Sequence, residues 1–109
     1  MRGVIESRAK AISFPNDLLR DRVAIVTGGS RGIGRATVQR LAEAGAHVAV
    51  NYLNHPQEAQ DAVHEARECG VRAIALQGDV SHTNEAAALV ENALDHFGQI
   101  DLLDRKSVV

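Results

Sequence analysis

The spacing of hydrophobic positions changes several times along the chain, and the changes predict alternating strands and helices. Residues 23–26 and 47–52 are short and mostly apolar, the pattern of strands that are buried on both faces. Between them, residues 33–44 carry apolar side chains at helical spacing, and Gly45 follows where a left-handed residue commonly ends a helix. The chain therefore contains a predicted strand–helix–strand unit.

The same alternation continues to residue 103. We predict a helix after Pro56, a strand over 71–76, a helix over 85–96 and a fourth strand that begins at residue 100. Strands this apolar need helices on both faces, and right-handed crossovers then make the sheet parallel. The predicted fold class is α/β, a Rossmann-like doubly wound parallel sheet with four strands and three helices in strict alternation.

Only part of the chain follows this pattern. Residues 1–20 show no regular period, so we interpret them as an N-terminal extension. Residues 21–103 form the predicted nucleotide-binding domain, and residues 104–109, Asp-Arg-Lys-Ser-Val-Val, form a short tail. A chain of 109 residues leaves no room for a second domain.

Composition and charge exclude several classes of partner. The net charge is −2 and basic residues are scattered among acidic ones, so we expect neither a nucleic-acid surface nor a membrane surface. No apolar run approaches the length of a membrane span, and we expect a soluble, cytoplasmic protein. The single cysteine, Cys69, is expected to be a small buried hydrophobic residue. The five histidines are too scattered for a metal site.

The segment Thr-Gly-Gly-Ser-Arg-Gly-Ile-Gly, residues 27–34, lies between the first predicted strand and helix. A turn without bulky side chains lets a pyrophosphate approach the backbone, and the helix N-terminus offers unpaired N–H groups to that anion. The glycines at 28, 32 and 34 have the spacing GxxxGxG, which differs from the GxGxxG of the commoner dinucleotide-binding dehydrogenases.

The stretch TGGSRGIGRA resembles the cofactor loop of the short-chain dehydrogenases/reductases, in particular the branch of 3-oxoacyl-carrier-protein reductases and related carbonyl reductases. Three more segments match this family in the right order: residues 48–52, residues 78–80 (Gly-Asp-Val), and residues 97–103 (Phe-Gly-Gln-Ile-Asp-Leu-Leu). The resemblance covers residues 21–103 and implies an oxidoreductase that uses a nicotinamide dinucleotide.

The resemblance implies roles for individual residues. Close approach to the pyrophosphate is expected at Gly28, Gly32 and Gly34, and contacts to the adenosine half are expected from the other loop residues, Ser30, Arg31 and Ile33. Asp79 is expected at the adenine amino group, with the backbone of Val80 beside it. The alternative for Asp79 is a turn residue that accepts local N–H groups.

The choice between NAD and NADP rests on the end of the second strand, where an acidic side chain holds the ribose 2′-hydroxyl of NAD. Asn51, followed by Tyr52, stands there, and Arg31 in the glycine loop could pair with the 2′-phosphate of NADP. We therefore favour NADP over NAD. The alternative is that Arg31 is a solvated loop residue.

The family's catalytic residues lie beyond a VNNAG segment that follows its fourth strand, and the sequence after Leu103 does not match that segment. The only tyrosine, Tyr52, has no lysine four residues later, and we assign no catalytic role to Lys106 or Ser107. We expect no turnover by this chain alone. The alternatives are a non-catalytic nucleotide-binding or interaction module and a non-functional truncation product.

We also expect the fourth strand to be frayed, with an exposed apolar edge. Such an edge favours self-association or pairing with a full-length relative.

Overall fold

The computed structural model describes residues 18–104, which form four strands and three helices in strict alternation. In chain order these are β1 (Val23–Val26), α1 (Gly32–Glu43), β2 (His47–Tyr52), α2 (Pro56–Glu68), β3 (Ala73–Gln77), α3 (Thr83–Phe97) and β4 (Leu102–Asp104). The strands form one parallel sheet in the order β3-β2-β1-β4. This arrangement confirms the predicted Rossmann-like α/β fold.

Helices cover both faces of the sheet because the central strands are apolar on both sides. All four residues of β1 are buried, and they alternate between two core clusters. Ala24 and Val26 pack in the cluster that contains Val38 of α1 and Val63 of α2. The other two β1 residues pack in the cluster formed with α3. The short apolar run thus predicted the position of β1 correctly.

The helix ends follow the sequence signals. Pro56 occupies the first turn of α2, where its missing N–H costs no hydrogen bond. Gly45 and Gly98 follow α1 and α3 with φ angles of 99° and 85°, the left-handed conformation expected at a helix end. These residues fix where each helix turns back to the next strand.

The fourth strand differs from the expectation in two respects. It begins at Leu102 and not at residue 100, because the Asp101 side chain accepts the Val23 N–H at 2.9 Å. It also pairs with β1 in register over three residues, so the expected fraying is not seen in the described part of the chain. The expected exposed apolar edge is present, since Leu102 and Leu103 are 41% and 48% exposed.

The predicted N-terminal extension and C-terminal tail lie almost wholly outside the described residues, and both stay predictions.

Candidate functional site

The carboxyl ends of the parallel strands meet at one edge of the sheet, which we call the carboxyl edge. Three loops lie there, after β1, β2 and β3, and they contain all ten predicted site residues or border them directly. In open α/β sheets, ligands bind in the crevice outside this edge. The fold therefore brings the predicted residues from three separate segments into one neighbourhood.

The loop after β1 is packed tightly against the first turn of α1. A Cβ atom added to Gly34 would lie 2.0 Å from the Gly28 carbonyl oxygen and 3.0 Å from the Gly29 Cα, so only glycine fits at position 34. Gly28 and Gly32 have φ angles of 64° and 58°, in the left-handed region. Because the space beside Gly32 is open, the backbone there is accessible to a ligand.

The N-terminus of α1 suits a negatively charged group. Its N-cap residue, Arg31, makes no side-chain capping hydrogen bond, and the first turn contains no acidic residue. The N–H groups of the first turn have no acceptor within the helix and carry a partial positive charge. Ser30 in this loop is buried, whereas Ile33 is 81% exposed and presents an apolar surface beside the N–H groups.

Asn51 lies near the end of β2, with its side chain inside the protein. Its side chain is only 3% exposed, and its Oδ1 accepts the Gly28 N–H at 3.3 Å. Its Nδ2 donates to the carbonyl oxygens of Leu76 at 3.3 Å and Gly78 at 3.1 Å. The Asn51 carbonyl also accepts the Gly29 N–H at 3.0 Å. Asn51 therefore joins the glycine loop to the end of β3 from inside the protein.

The inward placement of Asn51 follows from the alternation of side chains in a strand. Residue 51 points inward under the loop, and its polar atoms already have protein partners. Tyr52, the last residue of β2, is half-buried and packs against the core cluster beneath α1 and α2. Neither side chain places a carboxylate at the end of β2.

Arg31 extends from the glycine loop to the loop after β2. Its Nη1 lies 2.5 Å from the His55 Nε2, and its Nε lies 3.6 Å from the Glu58 Oε1. The His55 Nδ1 is 3.4 Å from the same carboxylate oxygen. Arg31 is 57% exposed, so the side chain is both solvated and paired.

Asp79 forms the turn that follows β3. Its Oδ1 accepts hydrogen bonds from the Ser81 N–H at 3.0 Å and the Ser81 hydroxyl at 2.6 Å. The hydrogen bond from that hydroxyl, together with the one from the backbone, lowers the pKa of Asp79. The local turn role is therefore confirmed, and contact with adenine stays a prediction. Val80 packs partly against the core cluster beneath α3.

Cys69 is exposed at the end of α2, so the expectation that it is buried is wrong. Partial desolvation, with added repulsion from Glu43 and Glu68, raises the pKa of its thiol. Within residues 18–104, no three potential ligands are grouped to hold a metal ion. Across the same residues, no helix combines the length and apolarity needed to cross a membrane.

His55 and Glu58 were not predicted as site residues from the sequence, although Glu58 is the first carboxylate after β2. Both follow β2 at the carboxyl edge, and their separation of three residues on either side of a helix start is the only local signal that they share a surface. Their contact with Arg31 joins positions 24 and 27 residues apart, which no local pattern reveals.

The parallel sheet, the glycine loop and the uncapped helix N-terminus define a nucleotide-binding α/β unit. Residues 22–105 match the family model described as short chain dehydrogenase. The chain belongs to this family, whose fold takes NAD or NADP as cofactor.

Two of the relatives are named as reductases, and the chain covers about a third of each. It is 46% identical over 84 residues to elsinochrome reductase 1 of Elsinoe fawcettii, which is 77% of this chain and 32% of that protein. It is 44% identical over 91 residues to a probable tetrahydroxynaphthalene reductase of Zymoseptoria tritici, covering 84% of this chain and 34% of the relative. The more specific 3-oxoacyl-carrier-protein reductase branch is not confirmed by these relatives.

Solved structures agree with the fold. A dehydrogenase/reductase from Sinorhizobium meliloti 1021 superposes with a TM-score of 0.76 at 38% identity, over 81% of this chain and 35% of that one. A Serratia marcescens short-chain dehydrogenase/reductase gives a TM-score of 0.80 at 36% identity, over 84% and 38% of the two chains.

Proposed function

We propose that residues 21–103 form the part of an NADP-dependent short-chain oxidoreductase that binds the adenosine and phosphate groups of the cofactor. The observation that carries this proposal is the glycine loop, where Gly34 packs against Gly28 too closely for any side chain. Such a loop exposes backbone N–H groups at a helix N-terminus, which is the arrangement that receives a pyrophosphate. On this proposal Gly28, Ser30, Gly32, Ile33 and Gly34 surround the pyrophosphate and adjoining ribose.

The preference for NADP rests on Arg31. Its guanidinium lies at the carboxyl edge next to the glycine loop, and the end of β2 has no carboxylate to hold a ribose 2′-hydroxyl. A guanidinium binds phosphate with charge-assisted hydrogen bonds, whereas NAD offers it no phosphate at this position. Asn51, Asp79 and Val80 complete the proposed site, with Asn51 acting through the loop and not by contact with ribose.

The bound cofactor would supply the hydride that reduces a carbonyl group, and the described residues would hold and orient its adenosine end. Because the 109 residues contain one tyrosine, Tyr52, and no lysine four positions later, we propose that this chain alone does not catalyse the reaction. For the complete protein we propose a carbonyl reductase, of the 3-oxoacyl type or acting on a hydroxylated aromatic compound like the one in a relative's name.

Binding titrations test the cofactor proposal. We expect the 109-residue chain to bind NADPH more tightly than NADH, and the substitution Arg31→Met to weaken NADPH binding about 10-fold or more while NADH is unaffected. The control is Arg40→Met, which removes the same charge in the last turn of the same helix. Equal affinities for the two cofactors, or equal effects of the two substitutions, would refute the NADP assignment.

Turnover is tested separately by following NADPH oxidation with ketones and 3-oxoacyl thioesters. Clear turnover by the purified chain contradicts the proposed inactivity.

A second candidate is a non-catalytic nucleotide-binding or interaction module. The observation that favours it is the half-exposed pair Leu102 and Leu103 on β4, which could join a second copy or a full-length relative. Sedimentation with and without NADPH distinguishes the candidates, because this module associates through β4 whether or not it binds cofactor.

A further inference from the structure

Glu58 lies between the two basic side chains at the proposed cofactor site. Its Oε1 is 3.6 Å from the Arg31 Nε and 3.4 Å from the His55 Nδ1. The Arg31 Nη1 in turn contacts the His55 Nε2. These three side chains, which we call the Arg31 cluster, connect the glycine loop to the first turn of α2.

The proton positions in the Arg31 cluster follow from the donors. A guanidinium has only N–H donors, so the His55 Nε2 facing it must be the acceptor. A neutral imidazole then carries its proton on Nδ1, which faces the Glu58 carboxylate. The cluster is therefore neutral overall, with the charge of Arg31 balanced by that of Glu58.

The Glu58 carboxylate is held only weakly beside Arg31 and His55. Its Oε1 is covered by protein, yet within residues 18–104 it has no hydrogen-bond partner at good geometry. The next ion pair between α1 and α2 is different, because Arg35 donates two hydrogen bonds to Glu65, at 3.2 and 2.6 Å. These hydrogen bonds lower the pKa of Glu65 and raise that of Arg35. Glu58 is thus a counter-ion that a better acceptor can displace.

We propose that Glu58 is a specificity-determining residue that competes with the 2′-phosphate of NADP(H) for Arg31 and His55. This inference rests on the proposed function. A phosphate monoester carries a charge of about −1.5 to −2 near neutral pH and accepts more hydrogen bonds than a carboxylate. Its binding requires Arg31 and His55 to exchange Glu58 for phosphate, with the carboxylate turning outward. Glu58 therefore reduces the preference for NADP(H) that Arg31 provides.

The substitution Glu58→Gln tests this inference because it removes the charge and keeps the size. The matched control is Glu68→Gln, the same change at an exposed position in the last turn of α2. Calorimetry with adenosine 2′,5′-bisphosphate and with 5′-AMP isolates the 2′-phosphate, and needs no catalysis. Unfolding midpoints of the three proteins establish that each is folded.

We expect Glu58→Gln to bind the bisphosphate about tenfold more tightly, the order of effect of a partly exposed charge on a nearby dianion. Binding of 5′-AMP should not change, and Glu68→Gln should resemble the wild type. Unchanged or weaker bisphosphate binding by Glu58→Gln overturns the inference, as does an equal gain for both ligands. If wild type and Glu58→Gln alike show no preference for the bisphosphate, the proposed NADP function itself is refuted.

Discussion

The buried amide of Asn51 provides the sharpest test of how the glycine loop is held. We consider Asn51→Asp, the substitution that sequence reasoning alone would choose to convert an NADP site into an NAD site. It is isosteric, so packing is unchanged. The new carboxylate oxygen would face the carbonyl oxygens of Leu76 and Gly78, which the amide nitrogen approaches at 3.3 and 3.1 Å.

The expected cost comes from two lost hydrogen bonds and from a charge placed in a buried site. Each lost bond is worth about 1 kcal/mol, and the unpaired carbonyls and buried carboxylate add to this, so we expect a loss of about 3 kcal/mol. With a urea m-value of about 1–3 kcal/mol/M, the unfolding midpoint should fall by about 1–3 M. A domain of this size has little stability to spare.

The pH dependence has a definite sign. Burial and the two carbonyl oxygens should raise the pKa of the introduced carboxyl above its unfolded value of about 3.9. A raised folded-state pKa means that stability falls as pH rises from the unfolded value to the folded one. The defect should therefore be complete at neutral pH and should shrink on acidification, since a protonated carboxyl can donate to one carbonyl.

Urea unfolding followed by circular dichroism measures the effect. The control is Asn54→Asp, the same chemical change in the exposed loop after β2, which should cost less than about 0.5 kcal/mol. If Asn51→Asp is as stable as wild type at neutral pH and gains affinity for NADH, the inward placement of Asn51 is refuted and a contact of residue 51 with the ribose is supported.

Three other predictions follow from local geometry. Gly34→Ala should abolish NADPH binding in titrations, because the added Cβ would lie 2.0 Å from the Gly28 carbonyl oxygen. Gly32 has open space around it, so Gly32→Ala should lower the free energy of unfolding by only about 1–2 kcal/mol. A hydrogen bond from a backbone N–H of β1 lowers the pKa of Asp101. The contribution of this carboxylate to stability is therefore present above about pH 3.9 and is lost as the pH falls through the lowered pKa. Asp101→Asn should reduce this loss of stability in acid, as measured by melting curves. Cys69 should react slowly with thiol reagents at neutral pH despite its exposure, because its thiol pKa is raised, and fast labelling there would contradict this.

The sequence predicted the layer structure because that structure depends on local patterns. Apolar runs placed β1 and β2, helical spacing placed α1 and α2, and Gly45 marked a helix end. The sequence also predicted the glycine loop as a compact turn, because the need for glycine at these positions arises within the turn itself. Boundaries shifted by a residue or two where a side chain such as Asp101 bonds to a neighbouring strand.

The details of the site depend on contacts between segments that are distant in the sequence. The sequence alone could not reveal these contacts. Successive side chains of a strand point to opposite faces, and this alternation decides whether Asn51 points into the protein or out of it. An error of one residue in the predicted strand register reverses that assignment. Cys69 was expected to be buried because free cysteine usually is, but it lies exposed just after the end of α2. The Arg31 cluster joins two loops whose approach is known only once β1 and β2 are paired.

The inward placement of Asn51 leaves the proposed cofactor preference to Arg31 in the glycine loop and to the loop that follows β2. Both polar atoms of the inward Asn51 side chain already have protein partners, so this side chain is not free to distinguish a 2′-hydroxyl from a 2′-phosphate. Arg31, His55 and Glu58 lie together beside the glycine loop and the loop after β2. Of these three side chains, only the Glu58 carboxylate repels a phosphate. A change of preference should therefore follow charge changes at positions 31 and 58, and substitutions at position 51 should act on stability first.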